Sequence, residues 1–158
     1  MAAGDLTVEL VDPGDDDAQR CLRAYEAELN ERFDAGFDVD SALPLPADDL
    51  RPPAGCFLVA YRGGDAVGCG GVKLQRDRPA EIKRVWVDRD ARGLGVARRL
   101  VAELEARART AGASAVQLDT NRTLTEAIAL YRSLGYRETA PFNREPYAHH
   151  WFEKALPP

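Results

Sequence analysis

The stretch Val87-Asp-Arg-Asp-Ala-Arg-Gly-Leu-Gly-Val-Ala-Arg-Arg-Leu100 constrains this chain more than any other. A strand-like run, Glu81–Val87, leads into a loop holding Gly93 and Gly95, and the loop opens directly into an amphipathic segment of helical period. A helix N-terminus carries N–H groups without intrahelical partners and a partial positive charge, so this turn is a candidate anion site. Gly93 and Gly95 leave the backbone open to a phosphate, and Arg92 adds a formal charge beside them. The local pattern alone leaves two readings. One is a tight strand-to-helix turn that needs glycine for its dihedrals. The other is a dinucleotide fingerprint with Asp119 as the ribose acid, although Arg98 stands where its third glycine belongs.

The remaining chain sets the context. A length of 158 residues suits one domain, 1–158, with a sizeable core. The net charge of −5 disfavours a nucleic-acid partner, which needs a basic face, and is weakly compatible with a cationic substrate. No run approaches a membrane span, so no membrane partner is expected. Cys21, Cys56 and Cys69 are widely spaced and form no C-x-x-C, so neither a metal knuckle nor a redox motif is indicated. Free thiols and an N-terminus without a signal pattern predict a cytoplasmic protein.

Hydrophobic periodicity orders the elements. Leu6–Val11 alternates as a strand, and Cys21, Leu22, Tyr25 and Leu29 share one helical face, with Arg20, Glu26 and Glu28 elsewhere on the wheel. Asp34–Pro53 is a loop with room for one short helix. Either it is solvated surface, or it is an acceptor lid whose aspartates recognise a cation. Cys56–Tyr61 and Ala66–Leu74 form a hairpin through Gly63-Gly64, and Gly68, Gly70 and Gly71 predict a bulge or a close backbone approach. In Glu81–Val87, strict alternation puts Glu81, Lys83, Val85 and Val87 on one face. The helix from Gly95 to Ala111 carries Ala97, Leu100, Val101, Leu104 and Ala108 as its apolar stripe. Ala115–Asp119 is a strand. Thr123 and Glu126 have capping-box spacing before a helix bearing Leu124, Ala127, Ile128, Tyr131 and Leu134, which Gly135 stops. Tyr136–Thr139 and Tyr147–Glu153 close the chain as strands. Adjacent His149 and His150 then point to opposite faces and cannot easily share a metal; either is first a sheet-surface residue and only second an acceptor contact. Trp86 and Trp151 read as packing residues. The order predicts an α/β or α+β fold with a mixed central sheet of about seven strands and a parallel, right-handed strand–helix–strand unit after Glu81.

Arg92-Gly-Leu-Gly-Val-Ala97 resembles the Q/R-x-x-G-x-G/A signature of the GNAT N-acetyltransferases, and Ala127-Ile-Ala-Leu-Tyr131-Arg-Ser-Leu-Gly135-Tyr136 is similar to that family's A-x-x-L-Y-x-x-x-G-F/Y motif. The resemblance runs from Phe57 to Leu134 and, less firmly, to Leu156. It implies acetyl-CoA as cosubstrate, no metal, and a sheet splayed at the cosubstrate site. It implies that Arg92, Gly93, Leu94, Gly95, Val96, Ala97 and Arg98 cradle the pyrophosphate, and that Val85, Trp86 and Val87 pair with the pantetheine arm. Tyr131 is implied beside the CoA sulfur. Glu81, eleven residues before Arg92, matches the general base of the histone-acetylating branch. Leu124 stands where many relatives carry asparagine, and Asn121 is either its substitute or a turn residue. Dimers are common in the family, so a homodimer is among the implied partners. The expected activity is acetyl transfer to a primary amine, of a small molecule rather than a protein or peptide. The rival expectations are acetylation of a protein or peptide amine, a non-catalytic acyl-CoA sensor or interaction module and, from the dinucleotide reading, a nicotinamide enzyme.

Overall fold

The computed structural model describes residues 5–158. A seven-stranded sheet is built from β1 (Leu6–Leu10), β2 (Gly55–Arg62), β3 (Asp65–Lys73), β4 (Ala80–Val87), β5 (Ala115–Thr120), β6 (Arg137–Thr139) and β7 (His150–Ala155), in the order β1-β2-β3-β4-β5-β7-β6. Three helices accompany it: α1 (Asp16–Arg32), α2 (Val96–Thr110) and α3 (Thr125–Ser133). Every neighbouring pair is antiparallel except β4 and β5, which are joined through α2. Among the described residues no helix is long and apolar enough to cross a membrane.

Both faces of the sheet centre are covered, which explains the unbroken apolar run of β2. Cys56, Leu58 and Ala60 pack with α2 through Leu100, Val101 and Leu104, together with Val72, Val116 and Phe152. Phe57 and Val59 pack on the other face with Ala18, Cys21 and Leu22 of α1 and with Cys69. The three cysteines are unpaired and buried. The close approach expected at the β3 glycines is present: a Cβ on Gly68 would lie 2.9 Å from the Trp86 carbonyl and 3.2 Å from Leu100.

Gly55, opposite Lys73 in the hairpin, is tighter still. A Cβ there would stand 2.1 Å from the Asp49 carbonyl and 2.4 Å from that of Val72. Both are backbone atoms that no rotamer change can move aside. Gly55→Ala should therefore destabilise the fold by about 1–3 kcal/mol or more, seen in scanning calorimetry as a melting point several degrees lower; an unchanged melting point would contradict this packing.

Three features set up the site. First, β4 and β5 pair only at Ala80–Val116 and Glu81–Gln117, then part. This is the expected splay. Second, the strict alternation expected for β4 fails at Arg84, whose φ is +59°. Between Lys83, opposite Gly71, and Trp86, opposite Cys69, two β4 residues face the single Gly70. This is a bulge. Ile82, Val85 and Val87 consequently share the α2 side, while Trp86 packs on the α1 side, so Glu81 and Val87 do not lie on one face. Holding a non-glycine residue in the left-handed region costs on the order of 1–2 kcal/mol. Third, Asp34–Pro53 contains two short 3-10 turns, Val39–Ser41 and Ala47–Leu50, rather than one helix.

Two smaller expectations also change. The capping box does not form: α3 starts at Thr125 without a side-chain cap. The Thr123 N–H and hydroxyl both donate to Asn121 Oδ1, and the Glu126 carboxylate is taken by Arg32 of α1. The last strand begins at His150, not Tyr147. Tyr147 instead packs on Phe37, with ring centroids 4.8 Å apart, and His149 accepts from the Arg122 N–H. His150 pairs with Glu138 at 2.6 Å.

Candidate active site

The splay becomes two adjoining cavities. The first, about 350 Å³, runs from the glycine loop along the end of β4 to α3. Its walls include Val85, Trp86, Val87, Arg92, Gly93, Gly95, Val96, Ala97, Arg98 and Tyr131. Of the thirteen residues that the sequence assigns to this site, ten line this one space, and Glu81, Leu94 and Asn121 do not. Leu94 points outward and is 42 % exposed.

The chemistry of its far end follows from the start of α2. Gly95 is the N-cap residue, at φ +78°, with no side chain capping the helix and no acid in the first turn. The first intrahelical bond is Arg99 N–H to the Gly95 carbonyl. The N–H groups before it are therefore free for an anion.

Arg92 lines this cavity and is itself held in place. Its Nε donates to the Val87 carbonyl at 3.1 Å, and its guanidinium meets Glu28 of α1 at 2.5 Å. Glu28 also accepts from Trp86 Nε1 at 3.2 Å and from Arg32 at 3.3 Å. Arg32 reaches on to the Thr123 carbonyl at 2.8 Å and to Glu126. One carboxylate and two guanidiniums thus tie α1, the β4 end, the loop and α3 into one frame around the cavity. The sequence reading missed Tyr25, Glu28 and Arg32. The signal available was the four-residue spacing of Glu28 and Arg32, a favourable helix pair.

The second cavity, about 120 Å³, lies over the gap between β4 and β5, under the 37–45 segment. It meets the first at Tyr25, Leu29, Val85, Leu124, Ala127 and Tyr131. Its lid is apolar: Phe37, Val39, Ala42, Leu43 and Leu45 line it, and the lid's aspartates do not. Asp38 accepts from the Asp40 N–H and the Ser41 hydroxyl, Asp48 pairs with Arg51 and Asp49 with Lys73. The expectation that these acids recognise a cation is replaced by a hydrophobic wall. The charged groups of this cavity come from elsewhere: Glu26, Lys83, Arg84, Asp119 and Glu145.

Tyr131 stands at the junction. Burial first, and the Asp119 charge second, push its pKa up, so the phenol keeps its proton throughout the neutral range. It packs edge-on to Tyr136, centroids 5.6 Å apart, and Tyr136 donates to the buried Glu105 at 2.6 Å. Asp119 accepts from Asn143 through Oδ2 at 2.8 Å and lines the second cavity. Glu81 lines neither cavity. It sits at the last paired position below the gap and contacts Lys83 at 3.5 Å. Asn121 lines the second cavity and is committed to its own turn, holding Thr123 and donating to the Tyr147 carbonyl at 2.7 Å. Neither His149 nor His150 reaches either space.

Comparison with known proteins agrees with this geometry. The model of the acetyltransferase (GNAT) family matches residues 18–136. IAA acetyltransferase of Azospirillum brasilense is 37 % identical over 121 residues, covering 76 % of this chain and 78 % of that protein. A Klebsiella pneumoniae structure assigned as an acyl-CoA N-acyltransferase superposes with a TM-score of 0.78 at 29 % identity, over 98 % of this chain and 99 % of its own. A Salmonella typhimurium structure solved with its cofactor acetyl-CoA has the same fold, with a TM-score of 0.71 at 19 % identity, over 98 % and 95 % of the two chains. With a glycine loop at an uncapped helix, a sheet split beside it and a family match across most of its length, the chain belongs to the GNAT family of acetyltransferases.

Proposed function

We propose that the protein transfers an acetyl group from acetyl-CoA to the primary amine of a small molecule, by direct attack within a ternary complex. The observation that carries this reading is the meeting of the two cavities at Tyr131. A cosubstrate whose pyrophosphate rests on Gly93–Arg98 and whose arm follows Val85–Val87 brings its thioester to that junction. The lidded cavity on the other side then delivers the amine.

The chemistry follows from proton accounting. An alkyl amine has a pKa near that of lysine, about 10.4, and arrives protonated. It must lose a proton before or during attack. Asp119 lines the amine's cavity, and Glu81 sits at the last β4–β5 pair before the gap; these two carboxylates are the candidates to take the proton, Glu81 only through water. Attack of nitrogen on the carbonyl carbon gives a tetrahedral oxyanion. Main-chain N–H groups of β4 near Val87, freed by the splay, are placed to donate to it. Collapse breaks the carbon–sulfur bond as the nitrogen gives up its second proton, leaving a neutral amide and the CoA thiolate; of the amine's two lost protons, one is left for the thiolate and the other passes to solvent. Because the Tyr131 pKa lies well above that of a thiol, this phenol stabilises the departing thiolate by donating a hydrogen bond, and the proton taken from the amine neutralises it. The buried, unpaired cysteines fit a reducing compartment such as the cytoplasm.

The test is a panel of small amines and peptide N-termini assayed for CoA release, alongside calorimetry with acetyl-CoA. Turnover with small amines is the expected result. Tight acetyl-CoA binding with no release from any acceptor would leave an acyl-CoA sensor, and turnover confined to peptides would replace the small-molecule acceptor.

A further inference from the structure

The acceptor cavity carries on its wall a cation that no side chain among the described residues answers. Lys83 spends its ammonium on Glu81. The half-buried Arg84 has neither a carboxylate nor a carbonyl within bonding reach of its guanidinium among the described residues; what it contributes to the surrounding bonds is its own carbonyl, which accepts from Cys69. The bulge sets Arg84 on the wall of the cavity, partly exposed and open to an incoming partner. Its charge is felt at the junction: at Tyr25, where burial raises the hydroxyl pKa most, Arg84 is the group that pulls it back down, while Asp119 and Tyr131 push it up. Arg84, Tyr25, Asp119 and Tyr131 all line that one space. A planar guanidinium presents paired N–H donors that match a carboxylate.

Opposite charge is supplied by Asp119, whose Oδ2 is held by Asn143 and whose Oδ1 has no partner among the described residues. Glu26 and Glu145 add further negative charge to the lining, and the lid side is apolar, formed by Phe33, Phe37, Val39 and Leu43. We infer that Arg84 is a specificity residue that binds the carboxylate of the acceptor, and that the acceptor is a free α-amino acid with an apolar side chain. Its amine lies toward Asp119 and Tyr131, and its side chain lies on the lid. This rests on the acetyltransferase reading above and narrows it to one class of amine.

The experiment compares L-phenylalanine and L-leucine with their amides and with phenethylamine and isoamylamine, in the unaltered protein, Arg84→Gln and Arg84→Lys. Both variants keep a non-glycine residue at φ +59°, so backbone demands are matched. The unaltered protein should favour each amino acid over its amide by roughly 10- to 100-fold in kcat/KM. Arg84→Gln should erase that preference through KM, Arg84→Lys should keep part of it, and acetyl-CoA affinity should not change. Calorimetry of L-phenylalanine with the CoA-loaded protein reads the same subsite without turnover. If L-phenylalanine binds the unaltered protein but not Arg84→Gln and no CoA is released, the carboxylate subsite stands and the transferase reading falls. If amino acids and amides are acetylated alike, or Arg84→Gln keeps the preference, the subsite is overturned while the transferase stands. If no probe binds or reacts, the subsite is overturned as well.

Discussion

A Gly95→Asp protein should fold and lose acetyl-CoA. Nothing lies within 4 Å of a Cβ built on Gly95, so the substitution meets no steric wall. The conformational penalty at φ +78° is on the order of 1–2 kcal/mol for an ordinary L-residue and less for aspartate, which tolerates the left-handed region. Aspartate is also a strong N-cap, and its carboxylate accepts from the N–H groups two and three residues on. Those are the donors on which the pyrophosphate would rest. The variant therefore fills the anion site with its own anion. Two like charges about 4 Å apart repel by roughly 4 kcal/mol at the effective dielectric of a protein surface, enough to weaken binding by 100-fold or more. Gly95→Ala separates the contributions, because it carries the backbone strain without the charge and should retain most of the affinity. Calorimetry gives the dissociation constants, and circular dichroism checks the fold. Unchanged affinity in a folded Gly95→Asp protein would place the cosubstrate elsewhere.

Tyr131→Phe should lower kcat about 100-fold with little effect on acetyl-CoA binding, because the hydroxyl acts only once sulfur carries charge. Asp119→Asn and Glu81→Gln test the proton acceptor, where losses typically run ~10²–10⁴ in rate. Asp119→Asn should be the more damaging, since Asp119 lines the acceptor cavity and Glu81 is partnered with Lys83 below it. The reverse order would assign the base to Glu81 through a water. Either loss should be most severe at low pH, where free amine is scarcest. Burial and the Asp119 charge raise the Tyr131 pKa, so the phenol is protonated below that raised value, and no alkaline limb of the profile should belong to it in the neutral range. If all three variants keep full kcat, these groups move no proton and only cosubstrate binding survives.

Much of this was legible in the sequence because amphipathic period and glycine punctuation are local signals. The stripe Leu100, Val101, Leu104 and Ala108 is the face that α2 buries, and Gly112 and Gly135 take positive φ where the helices were read to stop. What escaped was decided by distant partners. Glu126 has capping spacing, yet Arg32, far away in sequence, takes its carboxylate. The lid aspartates look like a cation trap, but neighbours in their own turns claim Asp38 and Asp48 and Lys73 of β3 claims Asp49, and the hydrophobic residues between them face the cavity. The bulge between β3 and β4 was signalled only from the β3 side, by Gly70; β4 itself gives no sign of it, because an arginine rather than a glycine occupies its left-handed position. The α1 contribution was hidden for a related reason: Glu28 and Arg32 look like solvent-side residues until the loop and α3 are brought against them.

A sheet joined across its middle by two residue pairs is mechanically two plates hinged at a corner. Besides the outer borders at β1 and β6, it has two inner borders, on β4 beyond Glu81 and on β5 beyond Gln117. Unpaired strand borders ordinarily recruit other chains. Here α1, α3 and the lid overhang them, so a flexible arm can enter where a foreign strand cannot. A cosubstrate arm bonded along β4 would act as the missing seam. Ligand held at 100 times its dissociation constant stabilises a protein by about 2.7 kcal/mol. In this molecule that gain should concentrate at the seam, slowing amide exchange along β4 and β5 while the hairpin of β2 and β3 stays as it was.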